Sequence, residues 1–277
     1  IMNQDTIFAL STVWGKSGIA IIRLSGPSCK SISKRLFGKK NLIPRKAHYT
    51  EIYDYKKKLI DKGLVVFFKE PYSFTGEDML EIHTHGSIAV VKKLIKELNL
   101  FKKLKPAEPG EFSKRSFFNN KINMIEAEGI NNLVNSETES QRKIFLNQSY
   151  GKSFDICNEW KKNILNISAM IDATIEFANE DEDILNENVK DLIQIIIKQI
   201  RNSIKTSNLG TKIRNGFNVL ILGPPNAGKS TLFNFINKEE MAIITSEAGT
   251  TRDLITSSLE INGYKLNFID SAGIRMT

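Results

Sequence analysis

Apolar runs bounded by glycine, Ile19-Ala20-Ile21-Ile22-Arg23-Leu24 and Leu64-Val65-Val66-Phe67-Phe68, predict two strands near the start of the chain. Met79-Leu80-Glu81-Ile82-His83 alternates apolar with polar and predicts a third. Ile88 to Leu98 has helical spacing with several lysines outward, and Pro106-Ala107-Glu108-Pro109-Gly110 reads as a loop. From about residue 122 the period lengthens. Ser136 with Glu139 resembles a capping box opening a helix. Ile156, Trp160, Ile164, Ile167, Ile171 and Ile175 then recur every three or four residues, and Val189, Leu192, Ile193, Ile196, Ile197, Ile200 and Ile204 form a second stripe. Between them, Asn179-Glu180-Asp181-Glu182-Asp183 reads as a solvated acidic turn, and Ser203 to Gly210 as a polar exit linker. Two long stripes in so short a segment cannot close a core alone, so they are expected to pack on another subunit or on a segment outside this chain. Past the linker, Asn218-Val219-Leu220-Ile221-Leu222 and Tyr264-Lys265-Leu266-Asn267-Phe268-Ile269 predict buried strands, and Thr231-Leu232-Phe233-Asn234-Phe235-Ile236 a helix start.

Composition adds limits. A chain of 277 residues, 41% hydrophobic and 25% charged, accommodates two or three ordinary globular domains. No apolar run approaches a membrane span, and the first residues lack the basic-then-apolar pattern of a signal peptide. Cys29 and Cys157 have no metal-type spacing and read as incidental thiols of a reducing cytosol. The formal charge of +8 is lopsided: residues 1–120 hold 22 Lys and Arg against 11 Asp and Glu, and the remainder 17 against 20. A basic first half suits an anionic partner such as RNA or a polyglutamylated cofactor, or else is a lysine-rich solvated surface.

The most specific chemistry lies after the helical stripes. Gly223-Pro224-Pro225-Asn226-Ala227-Gly228-Lys229-Ser230 fits the G-x-x-x-x-G-K-[ST] phosphate loop, set between the predicted strand and helix that the motif requires. Its glycines let successive N–H groups point at phosphate oxygens, Lys229 is placed for the β and γ phosphates, and the Ser230 hydroxyl for Mg²⁺. Gly249-Thr250-Thr251-Arg252-Asp253 offers a threonine able to bind Mg²⁺ and sense the γ phosphate. Asp270-Ser271-Ala272-Gly273 ends a predicted strand with an aspartate able to hold Mg²⁺ through water and a glycine N–H for the γ phosphate. In this order they make a nucleotide switch of GTPase type. The nucleotide contacts read from these motifs are Gly228, Lys229, Ser230, Gly249, Thr250, Asp270 and Gly273.

Colinear stretches then identify a family. Asp5-Thr6-Ile7, 18–27, Ser73-Phe74-Thr75-Gly76-Glu77-Asp78, Pro109-Gly110-Glu111-Phe112, Asn120-Lys121-Ile122, Glu126-Ala127-Glu128, the phosphate loop and 248–253 resemble the MnmE (TrmE) family of tRNA uridine-34 modification GTPases almost end to end. The resemblance implies a multidomain α+β and α/β chain. Residues 1–120 would be an aminomethyltransferase-like domain that binds a formyl- or methylene-tetrahydrofolate and dimerises; 121–211 would be an incomplete helical domain, and 212–277 the first part of a P-loop GTPase domain. It places folate on Arg23, Glu81 and Lys121, Mg²⁺ on Ser230 and Thr251, and an activating K⁺ on Asn226, Thr245, Glu247 and Thr250. It places the nucleotide on Asn226, Ala227, Gly228, Lys229, Ser230, Thr231, Thr245, Ser246, Glu247, Ala248, Gly249, Thr250, Asp270, Ser271, Ala272 and Gly273. It also implies tRNA and an FAD-dependent MnmG (GidA) type protein as partners, a homodimer, cytoplasmic location and no membrane. The water-orienting residue, the N-K-x-D base-reading motif, returning C-terminal helices and a terminal cysteine motif are expected beyond Thr277.

The turn 12–18 and Ser87 after His85-Gly86 depart from the family pattern, and His83 with His85, on one strand face without further ligands, make a poor metal site. Two competing readings are a non-catalytic fragment that binds folate and dimerises, and a ribosome-assembly GTPase; 74–78 argues against the second.

Overall fold

A computed structural model describes residues 5–38, 41–176, 182–223, 227–229, 231–232, 235–236 and 255–270. The chain divides into two compact units, Ile1–Met124 and Ile125–Thr277.

In the first unit β1 (Thr6–Leu10), β2 (Ser17–Ser25), β3 (Ala47–Tyr53), β4 (Leu59–Phe68), β5 (Met79–Gly86) and β6 (Leu104–Pro106) form one sheet in the order β3-β4-β5-β2-β1-β6. All pairings are antiparallel except β1 with β6. The three predicted strands are β2, β4 and β5. Alternation decides what each face does: Ile22, Leu24, Val65, Phe67, Leu80 and Ile82 point to one side, and helices α1 (Cys29–Phe37) and α2 (Ile88–Leu98) cover them with Ile32, Leu36, Leu94 and Leu98. Burying each such side chain contributes about 1.5–3 kcal/mol. The opposite side of the same strands carries Ile19, Arg23, Glu81, His83 and Leu64, and Ile19 is more than half exposed. Close strand approach is secured at Gly63, where a Cβ would lie 2.0 Å from the His83 carbonyl oxygen.

A buried cation fixes one margin of that open side. Arg115, on α3 (Glu111–Phe118), donates to Glu77 Oε2 at 3.0 Å, to Glu111 Oε1 at 2.9 Å and to the Asp5 carbonyl at 2.9 Å. Glu77 in turn accepts from Ser25 Oγ at 2.6 Å. Ser116 and Asn119 donate to the carbonyls of Phe74 and Thr75. The 73–78 stretch and the 109–112 stretch are thus two halves of one polar network at the end of β2. Cys29 is buried beneath it, its thiol donating to the Asp78 carbonyl; burial pushes the thiol well above its usual range, so it is inert.

The second unit contains α4 (Met124–Val134), α5 (Glu139–Ser149), α6 (Lys152–Glu176) and α7 (Glu182–Asn215), then β7 (Phe217–Ile221), β8 (Ile255–Ile261) and β9 (Tyr264–Asp270). The cap of α5 is Thr138 with Gln141, not Ser136 with Glu139: Thr138 Oγ1 accepts from Gln141 N, while Ser136 Oγ bonds back to Leu133 O at the end of α4. Residues 203–210 are no linker, because α7 continues to Asn215, so the predicted 211/212 boundary falls inside a helix. Ser203, Lys205 and Thr206 are tolerable in a helix, Ile204, Leu209 and Ile213 extend its apolar spacing, and Gly210 costs only about 1 kcal/mol there. The acidic turn lies outside the described residues at 177–181, and Glu182 and Asp183 open α7. The two stripes meet through Ile167, Val189 and Ile196, with Met170 and Ile200 beside them, while Ile164, Ile175, Ile195 and Ile204 are each more than half exposed.

Two buried amides end α7. Gln141 Nε2 donates to the carbonyls of Ile213 and Arg214, and its Oε1 accepts from the N–H groups of Glu137 and Thr138. Asn267 Nδ2 donates to the Asn215 carbonyl at 2.9 Å, and Gly216 turns the chain at φ 81°.

Two measurements check these networks. Arg115→Met should cost about 3 kcal/mol in urea unfolding, because it strands Glu77 and Glu111 without their cation. Burial alone would raise the Glu111 carboxyl, but the Glu108 N–H and the Arg115 guanidinium hold it below its usual 4.5. Its contribution is therefore complete above that value and fades as pH falls through the depressed folded value, a fade that Arg115→Met should reduce. Gln141→Leu should cost about 2–4 kcal/mol, since it orphans two carbonyls and two amides, and should speed hydrogen exchange at 217–221; a loss under about 0.5 kcal/mol would refute that role.

Candidate functional site

Cross-strand pairing builds the first site. Arg23 on β2 is the register partner of Glu81 on β5, and Val66 on β4 lies on the other side of Glu81. Arg23 directs Nε and Nη2 onto the same oxygen, Oε1, at 2.9 and 2.7 Å. This leaves Glu81 Oε2 facing His83 Nε2 at 3.5 Å. The His83 nitrogen is buried and has no hydrogen-bond partner among the described residues. Side-chain exposures of 33% for Arg23 and 17% for Glu81 leave the pair partly desolvated yet reachable from the open side. Such a group offers a carboxylate oxygen to a paired donor edge and guanidinium N–H groups to an acceptor.

Lys121 is brought to the margin of this side but makes no hydrogen bond or ion pair through its side chain with Arg23 or Glu81 among the described residues. Its backbone N–H reaches the Ser116 carbonyl beyond the end of α3. Its aliphatic stem packs on Gly76, at φ 77°, where a Cβ would meet Lys121 Cε at 3.0 Å. The two histidines do not converge. His85 donates its backbone N–H to Asp61 Oδ2 and sets Nδ1 2.9 Å from Asp61 Oδ1, whereas His83 turns to Glu81. Sequence reasoning weighed His83 only as half of a metal pair; its position two residues from Glu81 on an alternating strand was the signal for its actual neighbour.

The second site is organised by β7, β9 and β8, in that order, with β7 and β9 parallel and β8 antiparallel to β9. Ile221 pairs in register with Asp270, so the start of the phosphate loop and Asp270 leave the sheet at the same carboxyl edge. That edge is where open α/β sheets hold ligands. Gly228 is left-handed at φ 83°, Leu232 N–H reaches its carbonyl at 2.8 Å to begin the helix, and Lys229 Nζ donates to the Gly223 carbonyl at 2.9 Å. Lys229 thus reaches back to the first glycine of the motif. Ala227 and Thr231 also lie in the described part. Asn226, Ser230, 245–251 (with Thr245, Ser246, Glu247, Ala248, Gly249, Thr250 and Thr251) and Ser271, Ala272 and Gly273 lie outside the described residues.

No helix among the described residues is long and apolar enough to cross a membrane. Residues 6–121 match the family model described as GTP-binding protein TrmE N-terminus, and 124–272 match MnmE helical domain. Among curated relatives, the tRNA modification GTPase MnmE of Rickettsia prowazekii (strain Madrid E) is 42% identical over 275 residues, 98% of this chain and 62% of the relative. Those of Ehrlichia chaffeensis (strain ATCC CRL-10679 / Arkansas) and Anaplasma phagocytophilum (strain HZ) are 42% and 43% identical over 272 residues, 98% of this chain and 62% and 61% of theirs. The chain therefore spans about 62% of the length of the relatives it matches. With the second match alone covering more than half of its residues, and the first adding the sheet that carries Arg23 and Glu81, the chain belongs to the MnmE (TrmE) family.

Proposed function

We propose that the chain supplies the folate-binding and phosphate-binding parts of a K⁺-activated GTPase that modifies wobble uridine 34 of tRNA. The reaction adds an aminomethyl-type group at carbon 5, using a one-carbon unit from folate and an FAD-dependent partner of the MnmG (GidA) type. The reading rests above all on the in-register exit of the phosphate loop and Asp270 from parallel strands β7 and β9. The relatives' names as tRNA modification GTPases support the substrate class.

In the nucleotide site, Lys229 exchanges its contact with the Gly223 carbonyl for phosphate oxygens, and the loop N–H groups complete the cradle. Ser230 and Thr251 are the proposed Mg²⁺ ligands, with Asp270 held near the metal through water; Asn226, Thr245, Glu247 and Thr250 are those for K⁺. These cations supply positive charge against the β and γ phosphates, where other GTPases use an arginine finger. In the folate site the donor set fits the ligand: Glu81 presents an oxygen that Arg23 does not occupy, suited to the amino and ring N–H edge of a pterin. Lys121 lies at the margin for an anionic or carbonyl oxygen. We assign this first unit, paired in a homodimer, to the cytoplasm, where tRNA is modified.

Two experiments test the reading. GTP hydrolysis by this chain should be at least roughly tenfold faster in K⁺ than in Na⁺, a modest demand beside the 10³ or more of an arginine finger, and Asn226→Ala should erase the difference. Equal rates in the two salts rule out the K⁺ role. No turnover in either salt, with folate still bound, favours a chain that binds and dimerises without catalysis. Titration calorimetry with 5-formyltetrahydrofolate should show Glu81→Gln weakening binding by roughly tenfold or more, since a charge-assisted hydrogen bond is lost. Unchanged affinity in Glu81→Gln removes the folate assignment.

A further inference from the structure

Beside the Arg23–Glu81 pair lies an open cavity of about 580 Å³, in the size range of ligand pockets, lined by Arg45, Phe68, Tyr72, Phe74 and Lys121 among others. Strand geometry ties it to the pair. Val66 is opposite Glu81, and Phe68 stands on the same face two residues farther along β4, roughly 7 Å away. Three of the lining residues are aromatic, and none is acidic. Tyr72 is 69% exposed and Phe74 37%, although both follow directly on a structured stretch of backbone.

What sets the two cations here apart is their place in one aromatic-lined cavity. Among the described residues, Lys62, Lys93, Arg23 and Arg115 are held by carboxylates, as most lysines of the unit are not. Neither Arg45 nor Lys121 has a carboxylate partner among the described residues. Arg45 instead lays its guanidinium 5.7 Å from the Tyr72 ring centre and donates Nη2 to the Tyr72 carbonyl at 3.1 Å. Its backbone is left-handed at φ 62°, held by its N–H on the Phe67 carbonyl at 2.8 Å. A non-glycine residue in that region is uncommon and persists where surrounding structure holds it. The result is a cationic, aromatic-walled recess whose Phe68 stands two residues along β4 from the register partner of Glu81.

We propose that this recess takes the tail of the folate whose ring the Arg23–Glu81 pair engages, with Tyr72 and Phe74 flanking its aminobenzoyl ring and Arg45 and Lys121 pairing with its glutamate carboxylates. It rests on the folate assignment above and names the ligand form: a polyglutamylated folate is preferred over the monoglutamate. Each exposed ion pair is worth a fraction of a kcal/mol up to about 1, so the preference is modest and salt-dependent.

The test is calorimetric titration of the full 277-residue chain with 5-formyltetrahydrofolate carrying one glutamate or three. At low ionic strength the triglutamate should bind about two- to fivefold tighter, and the ratio should approach one near 1 M salt. Arg45→Asn removes the charge while keeping a side chain at ease in the left-handed region, and should collapse the ratio to about one; Arg45→Lys should retain most of it. A melting curve matching the parent shows that Arg45→Asn is folded; if it melts early, Lys121→Gln, at an ordinary backbone position, replaces it. Equal affinity for the two ligands overturns this proposal and leaves the folate assignment standing. So does a ratio untouched by Arg45→Asn, or a loss confined to tRNA retention, which would mark the recess as an RNA contact. Failure of either ligand to bind overturns both.

Discussion

The guanidinium of Arg115 is the constraint on which the first unit's chemistry depends. A cation about nine-tenths removed from water is costly unless its N–H groups are met, and here Glu77, Glu111 and the Asp5 carbonyl meet them. Meeting them draws together pieces of chain far apart in sequence: the start of β1, the 73–78 loop and α3. Because Glu77 also binds Ser25, the loop is tied to the end of β2, two residues from Arg23. Because Ser116 and Asn119 hold the same loop, Gly76 is fixed against the stem of Lys121. The positions of Phe74 and Tyr72 follow from the same anchoring. Lys121 and the aromatic wall are therefore tied to the loop that this buried charge anchors, while strand register sets Arg23 opposite Glu81.

The second unit solves a comparable problem with neutral groups. A long helix ends with carbonyls that have no helical partner, and α7 ends where a sheet must begin. Gln141 and Asn267 supply the missing donors from α5 and β9. Asn267 lies on the strand that finishes at Asp270, and its Oδ1 accepts from Ser258 on β8. The β8–β9 turn at Asn262 and Gly263, both left-handed, presents the Gly263 carbonyl to Ser140 N–H at the start of α5. Lys265 adds an ion pair with Glu137. So the strand that sets the register of Asp270 is bonded at several points to the helices beneath it. A shift of β9 along its axis would break caps as well as strand pairs.

Where apolar residues dominate a local period, the sequence was legible. Strands β2, β4, β5, β7 and β9 and helix α2 follow from such runs, as do the stripes of α6 and α7 and their incomplete mutual cover. Elements with thin apolar content were not anticipated: β3 turns Thr50 and Ile52 inward but Tyr49 and Glu51 outward, and α1 anchors chiefly through Ile32, Leu36 and Phe37. The polar end of α7 was misread because serine, threonine and asparagine signal loops only when no tertiary contact holds them in a helix. The α5 cap was displaced by two residues because Ser136 and Thr138 both offer a hydroxyl three residues ahead of an acceptor, and only the tertiary role of Gln141 separates them. Arg23 and Glu81 were named from family motifs, yet their mutual pairing is a fact of strand register that no spacing in sequence, 58 residues apart, could reveal. The recess with Arg45 was invisible for the same reason.

The surplus of basic residues in the first half of the chain had two readings, a solvated surface or an anionic partner. Exposed lysine–carboxylate pairs such as Lys62 with Glu51 contribute little to stability and neutralise what they touch, so they explain neither the surplus nor its purpose. The informative cations are those gathered in a cavity with aromatic walls. Arg45 and Lys121 share a recess without a carboxylate, and Arg45 keeps a left-handed backbone while bound to a tyrosine carbonyl rather than to an acid. Positive charge left uncompensated beside aromatic walls favours an anionic ligand with a planar ring over water alone, because ring contact and ion pairing act together there. What distinguishes Arg45 and Lys121 is therefore not the lack of an acid but their joint place in a cavity walled by Phe68, Tyr72 and Phe74.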